Sequence, residues 1–212
     1  MTGPVTASPA DNPALWYAMP ELTGTLVRLV PLQLEHADGW LTAARPGEEV
    51  FEFTGPTPSY DSVDQVRDEI AGALAARSRG ERFPYAQLDT RTGEVIGSTS
   101  LYEVNPAARA LAIGHTWLGR QWWRTGYNTD AKLLLLTHAF ETLGAARVVW
   151  HTDVLNLRSQ AAIERLGATK EGVLRKHRIR RDGTWRDTVQ YAMTEDDWPA
   201  VRERLTDALA AS

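Results

Sequence analysis

Two spacings of apolar residues alternate along the chain. "GTLVRLVPL" (Gly24 to Leu32) alternates apolar and polar positions as a strand does, and "LEHADGWLTAAR" follows at helical spacing. Ser62 and Asp64 stand where a helix cap belongs, ahead of "VDQVRDEIAGALAARSRG", whose Val66, Ile70, Ala73 and Leu74 share one face. Three strand-like runs come next: "RFPYAQLD", "EVIGSTSLYEV" after Thr92-Gly93, and "ARALAIGHTWL" after Asn105-Pro106. Consecutive hairpins predict an antiparallel meander. A long apolar helix pattern then occupies "RTGYNTDAKLLLLTHAF", and "ARVVWHTD" reads as a short strand. "NLRSQAAIERLG" is a helix closed by Gly167, and "GVLRKHRIRRDGTWRDTVQYAM" a hairpin turning at Asp182-Gly183. A last helix is expected over about 195–209. This order is α+β, with a strand, a long helix and a strand in the middle that favour a parallel crossover. Ligands bind such sheets at the carboxyl ends of the strands, where neighbours diverge and a helix N-terminus faces the gap.

Composition narrows the class. A chain of 212 residues holds one sizeable core, so one domain is expected over 21–212. The stretch 1–20, with Pro4, Pro9, Pro13 and Pro20 among small residues, reads as a loose tail without the basic start and apolar centre of a secretion signal. Hydrophobic residues make up 43% and no apolar run approaches the length of a bilayer span, so no membrane partner is expected. The absence of cysteine fits a reducing, cytoplasmic compartment and excludes disulfides and thiolate metal sites. Lys132, His138 and His151 show no metal spacing, and no metal is predicted. A net charge of -4 counts against a nucleic-acid binder.

The glycine of "RTGYNTD" sits just ahead of the apolar helix. A helix start leaves its first amides unpaired and carries a partial positive charge, so a loop gathering Gly126 and its neighbouring amides there makes an anion cradle. Gly126 has no side chain to block close approach, Asn128 or Thr129 is placed to cap the helix, and Arg124 adds a cation. A tight turn binding nothing is the plainer reading of such a motif alone. No Gly-Lys-Ser/Thr follows and no GxGxxG pattern occurs, which removes the nucleotide-binding loops.

"RTGYNTDAKLLLLTHAFETLGAARV", "TDVLNLRSQAAIERLGATKEGVLRKH" and "DGTWRDTVQYAMTEDDW" together resemble the Gcn5-related N-acetyltransferases (GNAT), nearest the RimJ/RimL type, over about 24–205. The resemblance implies a splayed mixed sheet of about seven strands flanked by helices, with acetyl-CoA as co-substrate. It implies that Trp123, Arg124, Thr125, Gly126, Tyr127, Asn128 and Thr129 hold the coenzyme pyrophosphate. Asn128 departs from the glycine or alanine usual there. It further implies that Thr116, Trp117 and Leu118 end the splayed strand whose backbone pairs with pantetheine, that Asn156 contacts coenzyme or water, and that the Ser159 hydroxyl lies near the sulfur. The plainer reading is that Asn156 caps a helix and Ser159 sits in its first turn.

Amine acetylation needs a neutral amine, a held oxyanion and a proton for the departing thiolate. Backbone amides near Trp117 and Leu118 are the oxyanion candidates and Ser159 the proton donor. Many members of the family carry a glutamate before Ile-Gly on the splayed strand; here that position is Ala112. His115 and, behind it, Glu103 become the candidate bases, though a strand histidine is often structural and water can serve an α-amine. Trp40, Phe51, Phe53 and Tyr60 are candidates for an acceptor-binding aromatic lid, with packing as the equal alternative. Trp122 and Trp123 wall a pocket or belong to the core. "RKHRIRR" (Arg175 to Arg181) binds the coenzyme's 3'-phosphate or an acidic acceptor, or is a hairpin with solvated basic edges. The expected partners are acetyl-CoA and an amine acceptor, either a small molecule or a protein N-terminus, and the family often pairs into homodimers. A coenzyme-binding regulator without catalysis and a basic-hairpin nucleic-acid module are the competing classes.

Overall fold

The computed structural model describes residues 12–45, 48–54 and 59–211. Strands β1 (Leu22–Thr23), β2 (Val27–Pro31), β3 (Arg82–Asp89), β4 (Val95–Asn105) and β5 (Ala110–Leu118) form the antiparallel meander that the hairpin signals predict. Strand β6 (Arg147–Asp153) runs parallel to β5, and the hairpin of β7 (Thr169–Ile179) and β8 (Trp185–Thr194) completes one mixed sheet in the order β1-β2-β3-β4-β5-β6-β8-β7. The fold is therefore α+β with eight strands among the described residues, the eighth being the two-residue β1. Among the described residues the helices are α1 (Ala14–Tyr17), α2 (Ala37–Ala44), α3 (Glu48–Phe51), α4 (Val63–Ser78), α5 (Tyr127–Thr137), α6 (Leu157–Leu166) and α7 (Trp198–Ala210).

Local signals explain most boundaries. The Ser62 hydroxyl accepts from the Gln65 amide at 3.3 Å and caps α4. Gly167 ends α6 at φ 94° and Gly183 turns the β7–β8 hairpin at φ 82°, conformations that side chains resist. Strand alternation sends Val27, Leu29, Tyr85, Ile96, Leu111 and Ile113 to one face, under α5 and α7, while Val30, Ala86, Leu88 and Trp117 meet α2, α3 and α4 on the other. The expected loose tail does not extend to residue 20. Helix α1 carries Trp16, 1% exposed, into the larger core, where its burial outweighs the ordering of a short segment.

Two irregularities shape the middle of the sheet. Pairing between β5 and β6 covers only Ala110–Ala112 against Arg147–Val149, and beyond it the strands part. Along β4 and β5 the register slips between Ser98 and Ser100, so that His115 and Thr116 together oppose Thr99, and His115 takes a left-handed φ of 48°. The split and the bulge lie on the same strand.

Candidate functional site

Beyond Ala112, the edge of β5 that faces β6 has no strand partner among the described residues. Three of the predicted coenzyme contacts, Thr116, Trp117 and Leu118, end this edge. Their side chains are already committed. Trp117 is buried beside Trp40 and Phe51, with ring centroids 4.8 and 5.1 Å away. The Thr116 hydroxyl lies 2.8 Å from that of Thr99, and Lys132 of α5 donates from Nζ to both, at 2.8 and 3.1 Å. Only backbone is left to face a ligand, which is what a strand-edge site uses.

The loop leading into α5 is wound tightly. Trp123 Nε1 donates to the Leu118 carbonyl at 2.8 Å and Thr125 Oγ1 to the Trp122 carbonyl at 2.6 Å. Arg124, exposed, takes φ 59°, the left-handed turn that brings Gly126 to the helix start. Gly126 itself has an ordinary φ of -67°, so the backbone does not demand a glycine there. The expected cap is corrected: α5 starts at Tyr127, placing Asn128 and Thr129 inside its first turn, and no side chain caps it. Among the described residues the amides of Gly126, Asn128 and Thr129 have no hydrogen-bond partner, which suits an anion cradle.

Buried groups hold this helix start in place. Asp130, 2% exposed, accepts the Leu26 and Val27 amides on one oxygen, at 2.6 and 2.9 Å. Tyr127 donates its hydroxyl to Asp89 at 2.6 Å, and that bond first, with the Thr92 and Arg91 amides in support, holds the Asp89 carboxyl below its usual range.

Helix α6 flanks the split from the β6 side. Asn156 caps it, its Oδ1 accepting from the Ser159 amide at 3.0 Å. Ser159 is half-buried in the first turn, and its hydroxyl has no hydrogen-bond partner among the described residues. The Arg158 guanidinium stacks over the Trp123 ring at 4.0 Å and donates to the Glu49 carbonyl at 3.0 Å, tying α6 to the β5 loop and to α3 across the split. The aromatic lid is corrected in three of its four members. Trp40, Phe51 and Tyr60 are at most 5% exposed and pack on one another and on Trp117, because α2, α3 and α4 have a sheet face to cover; Phe53 alone stays partly exposed. They support the bulged strand from behind.

On the face where β6 and β8 carry polar side chains lies a network that sequence spacing does not reveal. Tyr102 stands directly opposite Ala112 on β4. Its hydroxyl is 3.0 Å from His151 Nδ1, and His151 Nε2 is 3.2 Å from Gln190 Oε1. Gln190 donates its amide to Glu171 at 3.0 Å, and Glu171 in turn pairs with Arg147. That order fixes the Gln190 amide, makes Nε2 the protonated nitrogen of His151, and has Tyr102 donate to Nδ1. Burial first, then the Glu103 charge, pushes the Tyr102 phenol up to about 12. His115 meets Tyr102 edge-on at 5.4 Å. Its ring keeps a solvent-facing edge, yet crowding in the cleft first, and then Arg82, Arg178 and Arg186, push its pKa down, so the imidazole is neutral at pH 7. Glu103 sits at the rim, 3.9 Å from His151 and 3.8 Å from Arg178. The basic hairpin forms the exposed edge of the sheet at β7, yet Arg180 grips Asp153 through two bonds of 2.7 and 2.9 Å, and Arg181 donates to the Glu52 carbonyl. Only the pairing of β4 with β5, β5 with β6 and β6 with β8 assembles Tyr102, His151 and Gln190.

A family profile described as "Acetyltransferase (GNAT) domain" matches residues 27–169. The [ribosomal protein uS5]-alanine N-acetyltransferase of Escherichia coli is 28% identical over 194 residues, covering 87% of this chain and 96% of that protein. A GCN5-related N-acetyltransferase from Brucella melitensis superposes with a TM-score of 0.84 at 26% identity, over 90% of this chain and 85% of that one. Mycobacterium smegmatis RimJ, solved with CoA-disulfide, shares the fold with a TM-score of 0.73 at 24% identity, over 89% and 93%. Among the described residues no helix is long and apolar enough to cross a membrane. With a split sheet, an uncapped helix start beside it and a family match over most of the chain, the protein belongs to the GNAT acetyltransferases and is an N-acetyltransferase, of a family that uses acetyl-CoA.

Proposed function

We propose that this chain acetylates a primary amine by direct attack on acetyl-CoA within a ternary complex, the coenzyme lying between β5 and β6. The observation that carries the reading is the parting of these strands after Ala112 and Val149 beside the uncapped start of α5. The amides of Gly126, Asn128 and Thr129 and the helix dipole would hold the pyrophosphate, with Arg124 adding charge. The free edge of β5 at Thr116, Trp117 and Leu118 would pair with pantetheine and present amides to the developing oxyanion. Acetyl-CoA supplies an activated thioester. The Ser159 hydroxyl, with no partner among the described residues, is the proton donor for the thiolate, and Asn156 holds it by capping its turn. His115, neutral at pH 7, is the proposed proton acceptor, with Glu103 at the rim as the alternate. The acceptor is a small amine or a protein N-terminal α-amine.

Calorimetric titration of acetyl-CoA into the native protein and into Gly126→Asp tests the reading. The introduced carboxylate stands where the pyrophosphate would lie, and binding weakened at least about tenfold in a variant that still folds is expected. Native protein that ignores millimolar coenzyme would overturn it. Native binding with no thiol release in the presence of any amine would favour a coenzyme-binding regulator.

A further inference from the structure

Strand register puts Arg178 of β7 directly opposite Arg186 of β8. Cross-strand partners point to the same face, and like charges so placed repel. Val189 and Tyr191 of β8 enter the core, so Arg186, Thr188 and Gln190 alternate onto the other face, where Gln190 meets His151. Neither arginine has found a close anion. The carboxylate nearest Arg186 is Asp153, at 3.9 Å, and both of its oxygens are already taken by Arg180, with the Leu155 amide adding a bond of 2.9 Å. Arg178 reaches Glu103 only at 3.8 Å, beyond hydrogen-bond length, and Glu103 is more than half exposed. The Arg186 side chain is 17% exposed, and its Nε is out of contact with solvent and has no hydrogen-bond partner among the described residues. A half-buried guanidinium normally finds such a partner, because leaving its donors unpaired costs about 1–3 kcal/mol or more.

Both charges act on His115 and Tyr102, and Arg178 also lies 3.8 Å from Glu103, so the pair sits beside both of the proposed proton acceptors. Arg82, opposite Tyr102 on β3, adds a third cation there; it donates to Ser100 at 2.9 Å and lies 3.9 Å from Glu69. Two facing arginines with unspent donors match the planar oxygens of an anion better than a solvated edge would. We propose that Arg178 and Arg186 form an anion-binding subsite, and that the amine this enzyme acetylates carries a carboxylate held there. The proposal rests on the acetyltransferase reading above for the role of the anion, and on the hairpin geometry alone for the existence of the subsite.

Sulfate serves as the probe of the subsite, titrated at fixed ionic strength against chloride with the coenzyme site saturated by coenzyme A. Thermal unfolding should show sulfate stabilising the native protein, and the effect should vanish in Arg178→Gln and Arg186→Gln. Without sulfate both variants should melt no lower than the native protein, since each removes a repulsion. A sulfate response that persists in both variants, or variants that melt several degrees lower, would overturn the subsite. Weaker coenzyme A binding in Arg178→Gln would also overturn it, assigning the arginines to the coenzyme's phosphates. Thiol release from acetyl-CoA with the dipeptides Ala-Glu and Ala-Gln tests the role: kcat/KM at least about tenfold higher for the acid, falling to parity in Arg186→Gln, is expected, and parity in the native enzyme counts against it. If the native protein binds no coenzyme A, the sulfate titration is read on the free protein, which separates failure of the subsite from failure of the coenzyme site.

Discussion

Replacing Lys132 by methionine should stabilise the protein at neutral pH and remove a specific pH dependence. Lys132 is 4% exposed on α5, and burial pushes its pKa down from 10.5 to about 7. Its Nζ donates to Thr99 and Thr116, and among the described residues no carboxylate pairs with it. Between pH 7 and 10.5 the unfolded chain holds a proton that the folded chain has released, so stability rises with pH across that window, by about 1.4 kcal/mol per pH unit. Below pH 7 both states are protonated, and the full burden of about 4–5 kcal/mol persists. Methionine removes that burden together with two hydrogen bonds of about 1 kcal/mol each, while the threonine hydroxyls, 2.8 Å apart, keep each other satisfied. The expected net gain is about 2–3 kcal/mol at pH 7, shrinking and then reversing towards pH 9.5. Urea denaturation of both proteins at several pH values measures it. A difference between them that stays flat with pH, or a variant less stable at pH 7, would refute the reasoning.

Further outcomes follow from the same geometry. Asp130→Asn keeps an oxygen for the Leu26 and Val27 amides and should cost about 1–2 kcal/mol, whereas Asp130→Ala strands both amides and should cost about 3–5 kcal/mol; equal costs in denaturant titrations would show that the carboxylate is not the pin. Arg147 first and Gln190 second hold the Glu171 carboxyl down at about 2, so this group's stabilisation is present above about pH 4.5 and is lost as pH falls towards 2. Acid titrations should show that component missing in Arg147→Met, and an unchanged profile would contradict the assignment. His115→Asn and Glu103→Gln, made separately, should change the pH dependence of kcat/KM if either takes the amine's proton; unchanged profiles in both would move the role to Tyr102 and His151 or to water.

Local chemistry made the fold readable. Turn pairs such as Thr92-Gly93 and Asp182-Gly183, the Ser62 cap and the alternation along β2 to β5 each fix a conformation within a few residues, so their sequence is sufficient. The turn into α5 was readable for the same reason, since loop and helix start are contiguous from Trp123 to Thr129. What could not be read depends on pairing between distant strands. Nothing in "LAIGH" tells that Tyr102 faces Ala112, or in "RKHRIRR" that one arginine faces Arg186 while another spends itself on Asp153. Burial was the second blind spot. Trp40, Phe51 and Tyr60 have a composition that suits a lid, and only the helices laid over the sheet make them core.

The cradle at α5 shows why buried polar groups persist beside a site. Leu135, Leu136 and Ala131 pack against the sheet through contacts that tolerate sliding, because dispersion forces have no direction. Asp130 and Lys132 do not tolerate it. Asp130 is aimed at two amides of the β1–β2 turn, with its oxygens so close to Gly24 that a methyl group there would sit 2.5 Å away; Lys132 is aimed at two hydroxyls behind the bulge. One fixes the helix start against the outer strands and the other against β4 and β5, so the rotation and height of α5 relative to the split are set by groups that bond in only one arrangement. In the proposed function, helix-start amides that meet a pyrophosphate at hydrogen-bond length need that constraint more than the few kcal/mol an apolar lysine replacement would return.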